Sequence, residues 1–170
     1  LPPTPVRALR VTHDNALWIG FGGEGSGVAR VSAKTARVFR SQDTPDAPAG
    51  PITAIAEDRV HAIWAAGANG LFRFSADRWH KLSTADGLPD APINNVYVDS
   101  TGRVVALDSS SGDVFVNSAN GATLVATFGA VSPTVAAFSA VTVLPNNDIA
   151  TVRNNGGGGT NATVEVWRIG

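Results

Sequence analysis

Val6-Arg-Ala-Leu-Arg-Val-Thr-His-Asp-Asn-Ala-Leu-Trp18 aligns without a gap with Ile52-Thr-Ala-Ile-Ala-Glu-Asp-Arg-Val-His-Ala-Ile-Trp64. A third copy of this stretch is Ile93–Val105, and a weaker fourth copy is Phe138–Ala150. A sequence that recurs every ~40–45 residues is typical of a protein built by repeating one small unit of secondary structure. The fold is therefore predicted from a unit that occurs four times.

Each copy has the pattern of a small antiparallel sheet. An apolar alternation typical of a strand is followed by a polar turn and by a second strand that ends at the Trp or its equivalent. A Gly-rich loop leads into a third strand, and a fourth strand follows in the first three copies. The third strands are Gly27–Val31, Gly70–Phe74, Asp113–Val116 and Thr163–Ile169, and the fourth strands are Ala36–Arg40, Arg78–Leu82 and Thr123–Phe128. Four antiparallel strands per copy predict an all-β chain of β-propeller blades.

The predicted blades span residues 5–50, 51–91, 92–137 and 138–170, and the last one lacks its outer strand. A single sheet buries neither of its faces alone, so we expect blades to stack, with Trp18 and Trp64 filling the gaps between neighbours. The open edge of the last blade invites pairing with another strand. Three arrangements would give that edge a strand to pair with: a segment of a larger propeller, a closed ring of four blades, or an assembly in which chains complete each other.

Composition narrows the possible partners. The 170 residues include 13 Lys and Arg and 14 Asp and Glu, a formal charge of −1, so no positive field favours nucleic acid. The absence of Cys excludes disulfides, zinc–thiolate sites and iron–sulfur clusters. Because the chain has no uninterrupted apolar run of about 18 residues, we expect no membrane insertion by this segment.

The repeated motifs resemble a known family, the two-component regulator propeller repeat. The motifs that carry the resemblance are Ala16-Leu-Trp-Ile-Gly20, Gly25-Ser-Gly-Val-Ala-Arg30, Glu57-Asp58, Ile63-Trp64, Asn69-Gly-Leu-Phe-Arg73, Val98-Asp99 and Asp86-Gly-Leu-Pro89. The resemblance covers roughly two-thirds of the chain and is nearly absent from the fourth copy. It implies a propeller that acts outside the cytoplasm, either as the sensor of a membrane-bound histidine kinase that binds polysaccharide breakdown products or as part of a secreted protein.

The polar residues of the turns have structural interpretations. Asp14, Asp58 and Asp99 recur before the second strands, where an Asp side chain accepts backbone N–H groups. His13 and His61 fall in equivalent turns of two different blades, and we interpret them as solvated turn residues. The sequence therefore predicts no metal site and no cofactor.

Candidate binding residues come from the loops that follow the second strands. In a propeller these loops share one surface with the connectors between blades, near the axis where ligands enter, and adaptable Gly-rich loops favour recognition over catalysis. The predicted ligand-binding residues are Glu24, Asn69, Asp108, Asp113 and Arg153. Trp79 and Trp167 could stack on a sugar ring, although packing between blades is the favoured interpretation for both.

Two functions remain open at this point. The first is a non-enzymatic extracytoplasmic module, periplasmic or secreted, that binds a small molecule, a glycan or a protein. The alternative is a structural protein that joins chains by strand addition at the open last blade. An enzyme on a propeller scaffold is the least favoured, because the sequence places no acid, base and nucleophile at repeat-equivalent positions.

Overall fold

The computed structural model describes residues 1–23, 25, 27–88, 90–108, 114–117, 124–128, 138–146, 148–154 and 162–168. These residues form fifteen strands and one short 3-10 turn, Thr84–Asp86. The strands are β1 Val6–Val11, β2 Leu17–Phe21, β3 Val28–Val31, β4 Ala36–Phe39, β5 Ile52–Glu57, β6 Ile63–Gly67, β7 Gly70–Ser75, β8 Arg78–Lys81, β9 Asn95–Val98, β10 Val104–Leu107, β11 Val114–Asn117, β12 Leu124–Phe128, β13 Phe138–Val143, β14 Ile149–Asn154 and β15 Ala162–Trp167.

The strands pair in chain order into separate antiparallel sheets. The first sheet is β1-β2-β3-β4, the second β5-β6-β7-β8, the third β9-β10-β11-β12 and the fourth β13-β14-β15. The all-β fold of propeller blades is thus confirmed, and each sheet lies within one predicted blade range. The closure of the ring and the residue limits of the blades stay predictions. Among the described residues, no helical segment is long and apolar enough to cross a membrane.

Successive sheets pack face to face, as the repeat predicts. Trp18 is buried between the first and second sheets with Phe39, and Trp64 is buried between the second and third sheets with Ile93. Val105 takes the equivalent position between the third and fourth sheets. The expected role of the two tryptophans is confirmed: the residue at this repeated position packs against the next sheet.

The turns that join the first two strands of the first three sheets share one conformation. Asn15, His61 and Gly102 occupy the same place in three successive turns, with φ of 58°, 64° and 92°. Such left-handed backbone is accessible to glycine at low cost and to Asn more readily than to most residues. The Asp side chains accept backbone N–H groups in these turns, as predicted: Asp14 from Ala16 and Asp99 from Thr101.

Antiparallel alternation gives the stack two surfaces. We call one the turn face; it carries residues 12–16, 32–35, 58–62, 76–77 and 99–103. We call the other the connector face; it carries the loops after the second strands and the connectors between sheets. Asn69 and Asp108, two of the predicted ligand-binding residues, belong to the connector face.

Candidate functional site

A cleft of about 250 Å³ opens between the first and second sheets on the turn face. Both sheets and three of their turns contribute to its lining: Thr12, His13, Asp14, Trp18, Arg30, Arg37, Phe39, Glu57, His61, Ile63, Phe74 and Asp77. The cleft therefore combines an apolar floor with charged walls, the composition that small-molecule sites share.

Aromatic side chains form the floor. The rings of Trp18 and Phe39 stack with centroids 5.7 Å apart, and Phe74 meets Trp18 edge-on at 5.2 Å. Trp79 packs against the same group at 6.1 Å from Trp18. Because these rings brace one another, the floor is preformed.

Two ion pairs form the walls. Arg30 Nη2 donates to Asp14 Oδ2 at 2.6 Å, and Arg37 Nη1 donates to Asp77 Oδ1 at 2.6 Å. The Asp77 pair links the first and second sheets, and the guanidinium carbon of Arg37 lies 4.5 Å from the centroid of the Phe39 ring. Hydrogen bonds from the Thr12 hydroxyl and from Arg30 hold the pKa of Asp14 well below its usual range. Asp14 is therefore a fixed anion beside a fixed cation.

Two histidines and a glutamate occupy the rim of the cleft. The imidazoles of His13 and His61 stack with centroids 3.5 Å apart and an interplanar angle of 22°. Glu57 lies beneath them: its Oε1 contacts His13 Nδ1 and lies 3.4 Å from His61 Nδ1. Its Oε2 accepts the backbone N–H of His13 at 3.0 Å. In the part of the chain that the structure describes, these three form a group whose possible ligand atoms all lie within 4.8 Å of one another.

His13 and His61 are half-exposed turn residues, as interpreted from the sequence, and the structure in addition brings their rings together over Glu57. Equivalent turns of neighbouring blades lie side by side on one face, which brings together residues far apart in the sequence. One part of this group can be recognised in the sequence, because Glu57 ends β5 just before the turn that holds His61. The mutual approach depends on how closely adjacent sheets pack, which the repeat alone does not specify.

The predicted ligand-binding residues have mixed outcomes. Asn69 is exposed on the connector face, and its Nδ2 donates to the Ala49 carbonyl at 2.6 Å, so it ties a loop to a connector. It also lines a shallow cavity of about 210 Å³ beside the Lys81–Asp90 ion pair. Asp108 is buried at the end of β10. Glu24, Asp113 and the side chain of Arg153 lie outside the described residues.

The structure decides the role of one of the two tryptophans that were considered for stacking on a sugar ring. Trp79 is 4% exposed and packs in the aromatic floor, so it offers no free ring to a sugar. The favoured interpretation as packing between blades is confirmed for Trp79, whereas the side chain of Trp167 lies outside the described residues.

A further cavity of about 370 Å³ lies along β1, β5 and β9, the first strands of the first three sheets. Arg10, Glu57, Arg59, Tyr97 and Asp99 are among its lining residues. Glu57 lines both the cleft and this further cavity.

Solved structures with the same fold include extracellular domains of two putative hybrid two-component systems from B. thetaiotaomicron. The domain of BT4673 matches with a TM-score of 0.72 and 17% identity over 99% of this chain and 21% of its own. The domain of BT3049 matches with a TM-score of 0.67 and 21% identity over 86% of this chain and 20% of its own. The resemblance to the two-component regulator propeller repeat is confirmed at the level of the fold. The chain spans about a fifth of the length of these two proteins.

An enzyme has the same fold. A catalytically inactive variant of virginiamycin B lyase from Staphylococcus aureus, solved with quinupristin, matches with a TM-score of 0.68 and 15% identity over 99% of this chain and 58% of its own. No sequence profile of a protein family matches the chain, and no curated protein matches it. At these identities the structural similarity shows the fold, and function has to be argued from the site.

Proposed function

We propose that the chain is a non-enzymatic, extracytoplasmic ligand-binding or sensor module, and that its ligand is a small carbohydrate held in the turn-face cleft. The observation that carries this proposal is the pair of Asp–Arg ion pairs above an aromatic floor. Its location outside the cytoplasm is supported by the extracellular domains among the similar structures.

The cleft suits a hydroxyl-rich ligand for a chemical reason. A carboxylate accepts hydrogen bonds and a guanidinium donates them in a fixed fork, so each ion pair offers both functions to neighbouring hydroxyl groups. The apolar floor suits the C–H face of a sugar ring. A volume of about 250 Å³ lies just under the usual range of roughly 300–1,000 Å³ for ligand pockets, which favours a ligand of one or two rings.

The electrostatics of the cleft favour binding over acid–base catalysis. A general acid needs a pKa raised towards neutrality, whereas the pKa of Asp14 is lowered. Asp77, the other wall carboxylate, is held by Arg37 on the neighbouring sheet. Asp14 therefore presents a constant negative charge to a ligand.

We expect calorimetric titration of the full chain against a panel of mono- and disaccharides to find at least one ligand. Arg37→Gln removes a guanidinium hydrogen-bond donor from the wall of the cleft at an exposed position. The affinity of this variant for that ligand should fall by roughly tenfold, which is the effect of losing a hydrogen bond to a charged group. Arg78→Gln is the matched control, because Arg78 is exposed on β8 and does not line the cleft. A panel without binders, or equal losses in both variants, would contradict the proposal.

A second candidate function is assembly through the fourth sheet. Among the described strands β15 pairs with β14 alone, which leaves one of its edges available for strand addition. Val164 and Val166 on this strand are 64% and 56% exposed, which adds an apolar surface beside that edge. An exposed apolar edge strand is a surface on which another chain can pair.

For assembly we expect light scattering after size-exclusion chromatography to give a mass above that of one chain, rising with protein concentration. Val166→Lys should shift the distribution towards the monomer, because a charge on an edge strand opposes pairing. Val60→Lys is a control at a valine that is also exposed but lies in a turn of the second sheet. A monomer at every concentration would rule out this function.

A further inference from the structure

We propose that His13, Glu57 and His61 form a binding site for a divalent transition-metal ion of the Zn²⁺ class. The ligands are His13 Nδ1, His61 Nδ1 and Glu57 Oε1, and the ion lies between the β1–β2 and β5–β6 turns. This inference does not rest on the proposed sugar ligand, because it concerns the rim of the cleft and needs no occupant within it.

The distances suit a metal of this size. Zn²⁺ binds nitrogen and oxygen at about 2.0–2.2 Å, so two ligand atoms on adjacent corners of a tetrahedron are roughly 3.3–3.6 Å apart. His61 Nδ1 and Glu57 Oε1 are 3.4 Å apart. Each of the three residues offers a possible ligand atom within 4.8 Å of those of the other two, and rotation of the His13 ring, whose side chain is half exposed, completes the site.

The ligand set favours Zn²⁺ over the hard cations. Imidazole suits Zn²⁺, Ni²⁺ and Cu²⁺, whereas Ca²⁺ and Mg²⁺ prefer sites made of oxygen ligands. Two His and one Glu constitute a known three-ligand Zn²⁺ set that leaves a fourth position for water or another molecule. Here that position faces solvent at the rim of the cleft, since both imidazoles are about half exposed.

The carboxylate is held in place before any metal arrives. Glu57 has a side chain that is 9% exposed, and the backbone N–H of His13 donates to its Oε2 at 3.0 Å. This hydrogen bond fixes the carboxylate plane and leaves Oε1 directed at the imidazoles. Hydrogen bonds of this kind orient the ligands of metal sites and strengthen binding.

The backbone at His61 supports a chemical role for its side chain. His61 has φ of 64° at the turn position where the neighbouring turns have Asn15 and Gly102. A His in this conformation costs more than a Gly, and its half-exposed ring regains little by burial. Asp58 accepts two backbone N–H groups of the same turn and so holds His61 over Glu57.

The test is a calorimetric titration of the untagged full chain with Zn²⁺ near neutral pH, after removal of metal by a chelator. We expect one Zn²⁺ per chain and no comparable binding of Mg²⁺ or Ca²⁺. His61→Asn, which restores the residue of the first turn, and Glu57→Gln should each weaken Zn²⁺ binding by at least roughly tenfold. His80→Asn should leave it unchanged, because His80 pairs with Asp86 away from the cluster.

A measurement on the unaltered chain guards against variants that fail to fold. In ¹⁵N spectra of the imidazoles, Zn²⁺ should shift the resonances of His13 and His61 and leave those of His80 in place. The proposal is overturned if the unaltered chain binds no stoichiometric Zn²⁺. It is equally overturned if folded His61→Asn and Glu57→Gln bind as well as the unaltered chain, or if His80 accounts for the spectral change.

Discussion

Trp64→Ala is expected to lower the free energy of unfolding by about 4 kcal/mol, a large share of the total for one domain. Trp64 is fully buried among residues of the second and third sheets, where Leu71, Leu88 and Ile93 belong to the same cluster. Removing the indole leaves a cavity between two rigid sheets that cannot collapse onto it, and it also takes away the N–H that Asp58 accepts. Urea unfolding followed by circular dichroism measures the change.

Trp64→Phe separates the two causes of this loss. Phenylalanine keeps much of the apolar volume and removes the indole N–H, so its cost should be clearly smaller than that of alanine. Val60→Ala, at an exposed valine in the adjacent turn, should change stability by less than about 0.5 kcal/mol. A loss below about 1.5 kcal/mol for Trp64→Ala would mean that the interface between these sheets contributes little to stability.

The sequence predicts the parts of this structure that depend on position within a blade. The alternation in Val6–Val11 and Ile52–Glu57 indicates strands, and the repeated tryptophans indicate which face meets the next sheet. Both follow from a period of two along a strand and from the need to bury each face of a sheet. These requirements are local to a repeat, and therefore they can be recognised in the chain.

The site depends on relations between blades, and there the sequence is less informative. His13 and Glu57 meet because two sheets pack at one particular separation and twist, which depends on the aromatic group around Trp18 and Phe39. The prediction instead placed ligand binding on the connector face, from the general behaviour of Gly-rich loops. There Asn69 binds the Ala49 carbonyl, a structural contact that loop composition does not reveal.

Asp58→Ala is expected to cost about 3 kcal/mol of unfolding free energy, because it leaves several donors without their acceptor. Asp58 is 4% exposed. Its Oδ1 accepts the backbone N–H groups of Val60 and Ala62 at 3.0 and 2.8 Å, and its Oδ2 accepts Trp64 Nε1 at 2.9 Å. Of these donors, those of Ala62 and Trp64 are buried, so water cannot replace the lost carboxyl group without disturbing the packing.

Asp58→Asn tests this account more finely, since it keeps the shape and one acceptor but directs an amide N–H₂ at the indole N–H. Its cost should be about 1–2 kcal/mol in the natural chain. In the Trp64→Phe background there is no indole N–H for the amide to meet, so the same substitution should cost about 1 kcal/mol less, measured as the coupling in a double-mutant cycle.

Asp148→Ala, in the corresponding turn of the fourth sheet, is the control for losing a turn aspartate that pairs with exposed Asn146. Equal costs for Asp58→Asn in both backgrounds would show that the turn is held by its backbone contacts alone, and that the carboxyl group does not couple the turn carrying His61 to the buried indole.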